Sequence, residues 1–126
     1  MKDPSCKSDR WRQLKTELNN LSAEAFRNAI ASNPNAVILD VRTAAEYATG
    51  HIPNAVQLNY LSKDLWSELE VLPRDKDYFV YCRSGRRSLR VCTLMKNGGF
   101  EAQRIFNLSL GLVEWTRQFP NILVNE

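Results

Sequence analysis

The chain has 126 residues, 44% hydrophobic and 25% charged, with a net charge of +3. That balance fits one compact domain and excludes wholesale disorder. No apolar run nears the roughly 20 residues needed to cross a bilayer, and the first residues lack the apolar stretch of a secretory signal.

The expectation is therefore a cytoplasmic domain with no membrane partner. The three cysteines, Cys6, Cys82 and Cys92, include no CxxC pair, and His51 is the single histidine. No disulfide framework, metal site or other cofactor is expected. Residues 1–10 read as a polar tail and residues 11–126 as the domain. Residues 11–20 stay open between two readings. Trp11, Leu14 and Leu18 have helical spacing, while Leu18 and Leu21 equally flank a short edge strand.

From there strand and helix alternate. Ser22 is a helix N-cap, with Leu21 and Phe26 at the staple positions, and the helix runs to about Ser32 before Pro34. Residues 36–41 form a continuous apolar run, the pattern of a strand buried on both faces. Thr43 and Glu46 make a capping box for a short helix closed by Gly50. A second strand covers residues 55–58. Ser62 is read as the cap of a further helix, with Leu61 and Trp66 as its staple, ending before Pro73. Residues 77–82 form the third strand, followed by a helix to about Asn97 that Gly98-Gly99 stops. The fourth strand covers residues 103–106, and a last helix runs from Leu112 to Phe119. This alternation predicts an α/β domain with a mostly parallel sheet covered on both faces. Ligands bind such sheets beyond the carboxyl ends of the strands.

Cys82 ends the most apolar strand, and Arg83-Ser84-Gly85-Arg86-Arg87 follows, with a helix opening inside it. A thiol there meets free backbone N–H groups and the positive end of a helix dipole. Both favour an anion, as do the arginines. The thiol is expected to ionise more readily than a free cysteine and to act as a nucleophile. Gly85 lets the loop curl with positive φ and turn successive N–H groups inward. The plainer reading is a buried structural cysteine beside a solvated basic turn. Strand-end placement, Gly85 and the arginines together favour the reactive thiol. A nucleic-acid surface would need a longer basic stripe with interleaved aromatics, which the sequence lacks.

Cys82-Arg83-Ser84-Gly85-Arg86-Arg87 resembles the six-residue active-site loop of the rhodaneses, in the form C-R-x-G-x-[RT] associated with thiosulfate. Residues 40–55 are similar to the family signature D-V-R-x-x-x-E-[YF]-x-x-G-H-I-P-[GN]-A. Gly98-Gly99-Phe100 and Gly111 to Trp115 resemble its closing elements, so the likeness spans residues 18–119. It implies a three-layer fold with a five-stranded, mostly parallel sheet. It also implies sulfur transfer through a Cys82 persulfide, with a small anionic donor and a thiol or protein acceptor. By that analogy Arg83 and Arg87 orient the donor, and Arg86 holds the variable position. The substrate loop is then Arg83, Ser84, Gly85, Arg86, Arg87 and Ser88. One departure stands out: Leu110 replaces the first of two glycines before the final helix, which implies a reshaped or narrowed loop near the pocket.

Other residues read as structural. Asp40 and Arg42 share one strand face and invite an ion pair, and His51 in Gly-His-Ile-Pro reads as a loop fastener. Cys92 shares a helix face with Ser88, Val91 and Met95, the spacing of core packing. Trp66 and Trp115 read as packing residues, with a place on the pocket rim as the alternative for either. Two rival functions remain. One is a phosphatase, whose loop is C-x5-R, although here Arg87 comes five residues after Cys82 and Ser88 six. The other is a sulfur-relay or binding module serving a protein partner.

Overall fold

The computed structural model describes residues 19–120 and 123–125. The expected tail, Cys6 and the segment 11–18 lie outside the described residues. The chain builds β1 (Asn19–Leu21), α1 (Ala23–Ala31), β2 (Ala36–Asp40), α2 (Ala44–Thr49), β3 (Val56–Gln57), α3 (Leu65–Glu70), β4 (Asp77–Tyr81), α4 (Arg86–Asn97), a 3-10 turn (Ala102–Arg104), β5 (Ile105–Leu108) and α5 (Gly111–Gln118). The five strands form one sheet in the order β1-β5-β4-β2-β3, and every pairing is parallel. No helix among the described residues is long and apolar enough to cross a membrane.

The central strand explains the layering. Side chains alternate along β4, so Tyr78, Val80 and the following Cys82 face one way, while Phe79 and Tyr81 face the other. The first set packs under Leu65 and Leu69 of α3 and under Leu89, Cys92 and Met95 of α4. The second packs under Phe26 of α1 and under Leu112 and Trp115 of α5. A strand covered on both faces has no solvent side, which is why its sequence runs apolar without a break. Each large side chain buried this way contributes about 1.5–3 kcal/mol.

Local chemistry sets the element ends. Ser22 Oγ accepts from Ala25 N at 3.1 Å, and the Thr43–Glu46 capping box forms in full. α4 ends in a Schellman motif, with Phe100 N donating to Met95 O at 3.0 Å and Gly99 N to Lys96 O at 3.3 Å. The open reading of residues 11–20 resolves in part: Asn19–Leu21 is an edge strand alongside β5.

Three expectations need correction. α3 begins at Leu65, not after Ser62, and has no side-chain cap. Ser62 Oγ accepts instead from Asp64 N at 3.1 Å, shaping the turn before the helix. Leu61 is 70% exposed, so it forms no staple with Trp66. The last strand lies at Ile105–Leu108, because residues 102–104 form the 3-10 turn and Arg104 is drawn to Asp77 at 3.0 Å.

Candidate active site at the end of the central strand

Cys82 follows β4 directly and is only 1% exposed. Three groups converge on its sulfur: Gly85 N at 3.1 Å, Ser88 N at 3.3 Å and Ser88 Oγ at 3.3 Å. Two are backbone N–H groups of the loop and of the first turn of α4, which have no partner within the helix. Donors aimed at one atom at a helix N-terminus stabilise negative charge there.

The loop keeps this shape because the β5–α5 turn is clamped on it. Gly85 sits at φ +93°, and a Cβ there would collide with the Ser109 carbonyl oxygen. Gly111 sits at φ +70°, where a Cβ would meet the Arg83 carbonyl. Leu112 N donates to Cys82 O at 2.9 Å and Val113 N to Arg83 O at 3.1 Å, so the loop carbonyls cap α5. Asn107 Nδ2 reaches both Gly85 O (3.4 Å) and Asn20 Oδ1 (2.9 Å). Nothing in the local pattern marks Asn107, since asparagine at a strand end reads as a turn residue.

Arg83, Ser84 and Arg86 are exposed along the loop, and Ser88 is buried beneath it. Arg87 is paired with Glu46. Its guanidinium grips Glu46 with both nitrogens, Nη1–Oε1 at 2.8 Å and Nη2–Oε2 at 3.0 Å. The Arg87 hydrogen bonds, more than those from Thr43, hold the Glu46 carboxyl down at about 2 despite its partial burial. The same bonds raise Arg87 above the ordinary guanidinium range.

Unfolded, Glu46 titrates near 4.5, so its pairing stabilises the fold above that pH, and the gain is lost as pH falls from 4.5 to about 2. The pair is about 30% exposed, so solvent screening leaves a gain of roughly 1–2 kcal/mol. Urea unfolding should show wild type ahead of Glu46→Gln by that margin at pH 7, with the gap closing toward pH 2. A gap independent of pH would reject the pairing.

Asp40 and Arg42 form a buried pair, with Arg42 Nη2 at 2.7 Å from Asp40 Oδ2. Arg42 Nη2 also donates to Gly50 O at 2.7 Å. Tyr81 OH donates to Asp40 Oδ2 at 2.6 Å and accepts from Ile52 N at 3.0 Å. Burial, then the Asp40 charge, pushes the Tyr81 phenol well above its ordinary range. His51 Nδ1 donates to Tyr47 O at 2.9 Å, and the ring stacks on Tyr47 at 3.6 Å. Its backbone bridges Val124, a fastening geometry with no part in the cysteine loop. Cys92 is fully buried one turn beyond Ser88, and desolvation keeps its thiol protonated far above the ordinary range.

A pocket of about 300 Å³ adjoins the loop, its lining including Arg42, Glu46, Thr49, Arg83, Leu112 and Val113. Neither Trp66 nor Trp115 lines it. Leu110 does not line it either. With φ −106° and 55% exposure it takes an ordinary backbone geometry and points to solvent, so the expected narrowing is not seen.

A parallel sheet covered on both faces, with a cysteine cradled between its central strand and a helix N-terminus, defines a Cys-loop α/β domain. Within that class, the chain belongs to the rhodanese-like domain family, whose model matches residues 22–118. It is 36% identical over 110 residues to a sulfurtransferase of Allochromatium vinosum, covering 86% of this chain and 98% of that protein. It is 30% identical to a tRNA uridine(34) hydroxylase of Citrobacter koseri, covering 72% of this chain but 27% of that protein. A rhodanese-related protein of Thermoplasma volcanium superposes with a TM-score of 0.73 at 25% identity, covering 86% of this chain and 99% of the other.

Proposed function

We propose that this protein is a sulfurtransferase that carries sulfane sulfur as a persulfide on Cys82. The observation that carries the reading is the convergence of three donors on the Cys82 sulfur. In the first step the Cys82 thiolate attacks the outer sulfur of a donor such as thiosulfate. The donor's S–S bond breaks, and sulfite leaves with the bonding pair. The persulfide anion then stays in reach of the Gly85 and Ser88 donors, which stabilise it as they stabilise the thiolate. A thiophilic acceptor removes the outer sulfur and returns the thiolate; with cyanide the product is thiocyanate. The pocket beside Arg83 is the entry for the donor.

The same geometry weighs against phosphoryl chemistry. The residue six after Cys82 is Ser88, bonded to the sulfur, and Arg87 is engaged by Glu46. Neither offers a guanidinium fork to a phosphoryl group at the cradle.

Mass spectrometry after incubation with thiosulfate tests the proposal. The expected result is a gain of one sulfur atom mapped to Cys82 and discharged by cyanide. Trials with a small thiol and with candidate protein thiols then sort enzyme turnover from sulfur relay. Protein that gains no sulfur from any sulfane donor would overturn the reading.

A further inference from the structure

Three charged side chains wall the pocket beside the cysteine loop: Arg42, Glu46 and Arg83. Two of them are already matched. Arg42 is neutralised by Asp40 and also bonded to the Gly50 carbonyl. Glu46 is held by Arg87 through two parallel hydrogen bonds. Arg83 has no ion pair among the described residues and is exposed. Each matched pair sums to zero, so these groups leave the pocket a single surplus guanidinium. A dianion entering it also approaches the Glu46 carboxylate, and the arginine that would offset its second charge is occupied.

We propose that Glu46 sets the charge class of the sulfur donor, selecting neutral or singly charged sulfane donors over doubly charged thiosulfate. The assignment rests on the sulfur-transfer reading above. Donors of the favoured class are persulfides R–S–SH and thiosulfonates. With a persulfide, the Cys82 thiolate attacks the outer sulfur, R–S⁻ leaves, and the proton stays on the transferred sulfur. With methanethiosulfonate, the S–S bond breaks and methanesulfinate leaves. Glu46 acts through the pair: it withholds Arg87 from the donor, and of the two partners it is the carboxylate that lines the pocket.

Thiosulfate and methanethiosulfonate present the same outer sulfur and differ by one charge, so their ratio of kcat/KM reads the effect directly. Glu46→Gln removes the charge and keeps a residue that serves the capping box. The expected result is a rise of about 5–10-fold in the thiosulfate to methanethiosulfonate ratio, the size of one charge contact near a surface. The gain should come through KM for thiosulfate and fade at high ionic strength. Arg87→Ala leaves the Glu46 carboxylate unpaired and should move the ratio the other way. It carries the test alone if the first variant does not fold.

A merely structural role would lower both donors together in both variants. A ratio unchanged or lowered in Glu46→Gln, or unchanged or raised in Arg87→Ala, overturns the assignment. The two readings fail separately. If wild type loads Cys82 from neither donor, sulfur transfer itself is wrong. If it loads from both while the variants leave the ratio unmoved, only the role of Glu46 is lost.

Discussion

Replacing Cys82 with serine is expected to abolish sulfur loading and leave the fold nearly intact. The serine hydroxyl is close to the thiol in size and accepts hydrogen bonds, so the Gly85 and Ser88 donors keep an acceptor. The change in stability should stay within about 1 kcal/mol, measured by urea unfolding. The chemistry does not survive. A serine hydroxyl is not ionised at neutral pH by amide donors alone, and oxygen forms no persulfide. Transfer to cyanide should fall by on the order of 10⁴-fold or more, the scale on which loss of a covalent nucleophile is felt. The buried Cys92 does not substitute, because its thiol is held protonated inside the core. Transfer that persists in the serine variant would move the reaction to another residue and remove the basis of the mechanism.

What the residues disclosed in advance follows the range of the interactions involved. β2 and β4 were legible because a strand buried on both faces must be apolar throughout. The Thr43–Glu46 box, the Ser22 cap and the glycine stop after α4 were legible because each is settled within a few residues. Ser62 misled because an ST turn and a helix cap use the same side chain. The apolar pattern places the last strand two residues too early, since Asn107 interrupts it while serving a distant partner, Gly85. In the site, the thiol and its loop were legible. The grip of Arg87 on Glu46 was not, because it joins residues 41 positions apart and Glu46 already had a local task. Tyr81 looked like core from its place in β4, and nothing local marks its hydroxyl as a partner of Asp40.

That last contact shapes the largest expected effect on stability. Asp40→Ala should cost about 3–5 kcal/mol, the range for removing one partner of a buried ion pair. Asp40 is fully buried and accepts from Arg42 N, Nε and Nη2 and from Tyr81 OH. Without it, Arg42 keeps the Gly50 carbonyl but its charge is uncompensated, and the Tyr81 hydroxyl loses its acceptor. Against a total stability of 5–15 kcal/mol this is a large fraction, and the melting temperature should drop by on the order of 10–20 °C. The cost lies in the stranded charge more than in the lost attraction. Removing Arg42 as well should therefore recover part of the loss, so the double variant Asp40→Ala, Arg42→Met should be more stable than Asp40→Ala alone. Chemical unfolding of the three proteins decides the matter. A double variant that is less stable than either single one would mean that each group holds the loops independently, Arg42 through Gly50 and Asp40 through Tyr81.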